Sequence, residues 1–284
     1  MASKSRLPAR QGFYQVLTDA INDLMEHGFD SIQRVEMWVQ KLESAARASL
    51  VPEVTLQRTV RDVLQQTYDR TVKGERLYQR FPNVGKFTLE QIRPKLRAEL
   101  DRKILGSASL IKLNREKAIL QTLQRFQGWA TSIPIGGTDV AKRSEVKDTV
   151  KRGIAGLPFE ERRVIYDQGH KLAATINEIV ATDGGAIAGK WHHVAEGPPS
   201  YDSRPVHVKR NNKVYLIRNS WAHKDGFVKP GDVGYTDEIT AAGEEVGCSC
   251  SYTYIFHLRD LPPEMLTKRG LEALIEARAR IANM

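Results

Sequence analysis

At 284 residues, with 41% hydrophobic and 27% charged side chains, the chain holds enough apolar material to fold and is not composed like a disordered tail. The length exceeds that of a single small module, so two domains, or one domain with a long extension, are expected. A formal charge of +9 predicts attraction to polyanions, whether nucleic acid or an acidic protein face, and does not choose between them.

The opening stretch Met1–Arg6 runs into Leu7-Pro8 without the apolar core of an export signal. No run of about 18 apolar residues follows anywhere, so a chain that is neither exported nor membrane-spanning is expected. From Phe13, the positions Val16, Leu17, Ala20, Ile21 and Leu24 repeat at three and four residues, which predicts a helix stopped by Gly28. Asp30 and Ser31 can cap a second helix with the stripe Ile32, Val35, Val39 and Leu42, and Pro52 closes it. Leu56, Val60, Val63 and Leu64 mark a third. Phe81-Pro82-Asn83-Val84-Gly85-Lys86 reads as a loop, after which Thr88 and Gln91 resemble a capping box for a helix carrying Ile92, Leu96 and Leu100. A further helix is expected from Leu110 to about Trp129. Such amphipathic helices bury their stripes against one another in a bundle, or against another subunit.

Ile133-Pro134-Ile135-Gly136-Gly137 reads as a hinge and the main internal boundary, since neither a Walker spacing nor GxGxxG surrounds its glycines. The basic run Lys142, Arg143, Lys147, Lys151 and Arg152 follows, and Pro158 is expected to open a helix with Glu160 and Glu161 in its first turn, running to Ala181. Beyond Asp183-Gly184-Gly185 the pattern changes to short strands around Trp191, Val214 to Ile217 and Tyr252 to Phe256. Pro262 and Pro263 are expected to start a last basic helix. The fold class is therefore α+β: a helical docking region over 1–135, a compact α+β domain with a small antiparallel sheet over 136–261, and a C-terminal basic helix over 262–284.

The unusual chemistry gathers between Trp191 and Phe256. Cys248 and Cys250 are the only cysteines, and their two-residue step is poor disulfide geometry, so a reducing compartment is expected. In an extended segment both sulfurs face one way, and His207 can join them in a tetrahedral zinc site with Asp202, His192, His193 or His223 as a fourth donor. Two small buried thiols in a core give the same pattern without metal, and the sequence favours that simpler reading. A thiol nucleophile with His207 as base lacks any recognisable oxyanion hole or orienting group.

The order Trp191, then Asp202-Ser203-Arg204-Pro205-Val206-His207, then Pro230-Gly231-Asp232, then Gly247-Cys248-Ser249-Cys250 resembles the phage head morphogenesis family, the minor head (minor capsid) proteins of phage Mu and related tailed phages. The resemblance covers roughly the C-terminal third, where Trp191, Asp202, Arg204, His207, Cys248 and Cys250 carry it. It implies a structural component and not an enzyme; no cofactor is expected beyond the structural zinc that the residue chemistry itself allows. It also implies a low-copy part of the virion head, assembled in the host cytoplasm against portal or capsid subunits and contacting phage DNA. Rival readings are a nucleic-acid-binding or genome-ejection protein neutralising phosphates through Lys142 to Arg152 together with Lys209 and Arg210, a head-to-tail adaptor, and an enzyme or toxin-like domain centred on His207 and the cysteines.

Overall fold

A computed structural model describes residues 7–194 and 204–282. The fold is α+β: a long helical N-terminal region leads to a small three-stranded antiparallel sheet. The helices are α1 (Leu7–His27), α2 (Ile32–Ala48), α3 (Glu53–Val72), α4 (Arg76–Arg80), α5 (Lys86–Ala130), α6 (Arg143–Asp183), α7 (Pro205–Arg210), α8 (Trp221–Lys224) and α9 (Lys268–Ala282). The strands are β1 (Ala188–His192), β2 (Val214–Leu216) and β3 (Ser251–Ile255). Among the described residues, no helix is long and apolar enough to cross a membrane.

The chain forms two compact units that interleave in sequence, one from residues 7–61 with Ile104–Ile165, the other from Asp62–Lys103 with the residues after Ile165. In the first, Phe13, Leu17, Ala20, Ile21 and Leu24 on α1 meet Val35, Leu42 and Ala46 on α2, with Ile119 and Phe126 of α5 and Val150, Ile154 and Leu157 of α6. These are the three-and-four stripes of amphipathic helices, and burying each large side chain contributes about 1.5–3 kcal/mol. Ser31 caps α2, its hydroxyl accepting from the Arg34 amide at 3.4 Å. Ile32, expected in the stripe, is exposed.

Three expectations change. The segment from Ile133 to Gly137 is no hinge: it is bonded to the end of α1 through Gly136 N to His27 O (3.1 Å) and Thr138 N to Met25 O (2.9 Å). It lies inside the first unit. Gly28 (φ +76°) and Gly137 (φ +84°) permit this seam, because a Cβ on either would run into the backbone of the other segment. Next, α5 is one helix of 45 residues starting at Lys86, so Thr88 and Gln91 lie within its first turns and do not cap it. Leu100, Ile104, Ser107 and Ile111 continue a buried three-and-four spacing across the stretch where a break was expected. Finally, α6 begins at Arg143 and passes through Pro158. An internal proline costs about 3 kcal/mol, and the buried Val150, Ile154 and Leu157 on the preceding turns hold the helix regardless.

In the second unit the sheet order is β2-β1-β3, with Gly189 opposite both Tyr215 and Tyr254, and Trp191 opposite Tyr252. Because successive side chains alternate faces, Ala188, Leu216 and Ile255 look toward a core shared with Ala222, Val228, Leu261, Met265 and Leu266. Trp191, Tyr215 and Tyr252 look the other way, onto Ala242, Cys248 and Cys250. The C-terminal segment starts with a single 3-10 turn, Pro263–Met265, before α9, and its Met265 and Leu266 are buried in the first of these cores.

Candidate metal centre

The second face of the sheet carries the site. Trp191 on β1 is fully buried, and its ring takes the edges of His207 at 5.4 Å and Tyr252 at 5.3 Å between centroids. Backbone bonds from Trp191 N to Lys213 O and from Asn212 N to Trp191 O, both 2.8 Å, tie β1 to the turn after α7. The guanidinium of Arg210 lies 5.1 Å from the Trp191 ring centroid, a cation-π contact that covers the indole.

His207 projects from α7 into this pocket and is almost completely buried. Its Nδ1 stands 3.5 Å from Cys248 Sγ and 3.7 Å from Cys250 Sγ. Its Nε2 is 3.1 Å from Oε1 of Glu245. A carboxylate only accepts, so Nε2 carries the proton, and the Nδ1 lone pair is left turned toward the two sulfurs. Glu245 is held in turn: Arg204 Nε donates to Oε2 at 2.9 Å, and the Thr240 hydroxyl donates to Oε1 at 3.1 Å. Arg204 also donates to the Val246 carbonyl at 2.8 Å, and Arg210 to Thr240 at 3.1 Å. The loop before the cysteines is anchored to α6, where Asp167 accepts from the Gly247 amide at 2.7 Å.

The two cysteines are free and buried. Cys250 donates its S–H to Cys248, which outweighs burial and pulls the Cys248 thiol down to about 5, while the same bond and burial push Cys250 up. The bond between them favours the thiolate at Cys248, and a thiolate is the form that binds metal. Burial raises Glu245, yet hydrogen bonds from His207 and Thr240 and the charge of Arg204 more than offset it, leaving its carboxyl below the ordinary range.

One donor atom each from His207, Cys248 and Cys250 lie within 4.8 Å of one another, a group compatible with a metal ion. Of the residues picked out from sequence, Trp191, Arg204, His207, Cys248 and Cys250 come together here; Asp202 lies outside the described residues. The cysteines sit in the irregular stretch just before β3, not within the strand. His193, just past β1, places Nδ1 3.5 Å from Cys250 Sγ. His223 is occupied elsewhere, by the Arg218 carbonyl at 2.8 Å and the Tyr235 hydroxyl at 3.2 Å.

Arg210 serves the Trp191 cluster, while Lys209 beside it is exposed. In the first unit Lys142 pairs with Glu145, Lys147 donates to Thr18 and Lys151 pairs with Asp148, leaving Arg143 and Arg152 on the surface. Sequence reasoning missed Glu245, whose only signal is its place three residues before Cys248. Comparisons with protein-family models, curated proteins and solved structures return no match for this chain.

Proposed function

We propose that this chain is a minor head protein of a tailed phage, a structural component that joins portal or capsid subunits during head assembly and remains in the virion. The observation that carries this reading is the convergence of Trp191, His207, Cys248 and Cys250 on one buried cluster, with the half-exposed Arg204 bonded at its edge. Five of the six residues on which the resemblance rests, all but Asp202, lie together, which supports reading them as a single structural device. In the same reading His207, Cys248 and Cys250 hold a structural zinc that fastens the sheet to the loops around it. The first unit supplies the docking surface. On α5, Leu105, Leu113 and Leu120 recur at seven or eight residues, share a helix face and are all exposed, as suits contact with another subunit.

The test is coexpression with the portal and major capsid proteins of the phage or prophage that encodes the chain. The expected result is cosedimentation at low copy with procapsids or portal rings. A free monomer found in neither assembly overturns the proposal.

A further inference from the structure

Structural zinc takes four protein donors, and a site with three keeps its last position for water or substrate. The identity of the fourth donor therefore decides what the ion can do. Zinc–sulfur bonds of about 2.3 Å and zinc–nitrogen bonds of about 2.0–2.1 Å, set at a tetrahedral angle, put sulfur and nitrogen about 3.6 Å apart. The contacts of His207 Nδ1 with the two sulfurs are 3.5 and 3.7 Å, and that of His193 Nδ1 with Cys250 Sγ is 3.5 Å. Each of these distances matches a sulfur–nitrogen pair on one zinc ion; His193 meets only Cys250 and lies outside the group of donors within 4.8 Å of one another, so its ring has to swing toward His207 and Cys248 for all four to share the ion.

The local backbone explains why His193 and not His192 reaches the site. His192 is the last residue of β1, paired with Ser251, and strand alternation sends its side chain to the face opposite Trp191. His193 lies one step further, on the Trp191 side, where its backbone amide donates to the Asn211 side chain at 3.0 Å. The other nearby donor, Glu245, already has both oxygens engaged, by His207 and Thr240 on one side and Arg204 on the other. That is the place of an outer carboxylate orienting a histidine ligand.

We infer that His193 is the fourth ligand of a closed Cys2His2 zinc site formed with His207, Cys248 and Cys250. The inference rests on the zinc reading of the triad proposed above. It makes the ion purely structural, with no coordination position for a reacting water. His193 follows β1 and His207 lies on α7, so the ion ties the end of that strand to that helix.

The experiment is zinc uptake by the full-length chain, purified under reducing conditions and stripped of metal, followed by zinc-edge X-ray absorption. One zinc per chain with two sulfur and two nitrogen donors is expected. In His193→Ala one nitrogen is replaced by oxygen, and affinity in chelator competition falls by more than the roughly 10- to 100-fold typical of losing an outer partner. His193→Cys, which again offers four protein donors, restores tight binding with three sulfurs. Wild-type zinc with two sulfurs, one nitrogen and one oxygen overturns the role of His193 alone, as does unchanged affinity in His193→Ala. No uptake at all overturns the zinc reading itself. The wild-type spectrum decides even where a variant does not fold, and neither failure bears on association with portal or capsid.

Discussion

His207 is held from both ends: Glu245 lies 3.1 Å from Nε2, and the sulfur of Cys248 lies 3.5 Å from Nδ1. The carboxylate fixes which nitrogen carries the proton, so the geometry of the whole cluster depends on a residue that touches neither sulfur. Glu245→Gln removes the charge, keeps the shape and lets either amide end face the ring. Zinc affinity is expected to fall by about 10- to 100-fold, measured by chelator competition, with the sulfur-nitrogen donor set unchanged. Full affinity in this variant would show that the tautomer is set by something else.

If a zinc ion ties the loops to the sheet, binding and folding are linked, and removing the ion lowers the melting temperature. At a free zinc concentration about 100 times the dissociation constant the linkage is worth about 2.7 kcal/mol, or about 5–10 °C for a protein of this size. Scanning calorimetry with and without a strong chelator measures it, and Cys250→Ser provides the control, which is expected to melt at the same temperature in both. A wild-type protein indifferent to chelator contradicts the linkage.

Much of this architecture is written in local patterns. The stripes of α1 and α2, the Ser31 cap, the loop before Lys86 and the three strands all follow from spacing, because each depends on residues a few positions apart. The length of α5 and α6 does not. Gly106 and Pro158 are local break signals, and buried neighbours such as Ile104, Ile111, Ile154 and Leu157 override them through contacts distant in sequence. The site divides in the same way. Cys248, Cys250 and His207 stand out by residue type, whereas Glu245 looks like any surface acid until the fold places it beside a histidine 38 positions away.

The basic run at the start of α6 is a weaker phosphate surface than its composition suggests, since Lys142, Lys147 and Lys151 have partners within the first unit. Arg143 and Arg152 remain exposed. If the protein touches DNA through this segment, replacing both arginines by alanine lowers the slope of log affinity against log salt by about two, at about 0.9 per phosphate contact. Fluorescence anisotropy with a duplex of arbitrary sequence over a salt series reads this slope. An unchanged slope removes the segment from any DNA contact.

Glu161 illustrates how a misplaced helix start misassigns a charge. Read as a first-turn residue it is a solvated acid helped by the helix dipole, whereas in the continuous α6 its carboxylate accepts from Arg115 Nε at 2.7 Å, with the two side chains only 11% and 8% exposed. Arg115 also donates to the Val51 carbonyl at 2.8 Å, so the pair links α5, α6 and the turn after α2. Glu161→Ala strands a buried guanidinium, and the expected loss is about 3–5 kcal/mol, seen as a lower urea midpoint. Arg115→Met combined with Glu161→Leu removes both charges and keeps the volume, so it should recover most of that loss. If the double variant is no more stable than Glu161→Ala, the cost lies in packing or in the lost bond to Val51, and not in the unpaired charge.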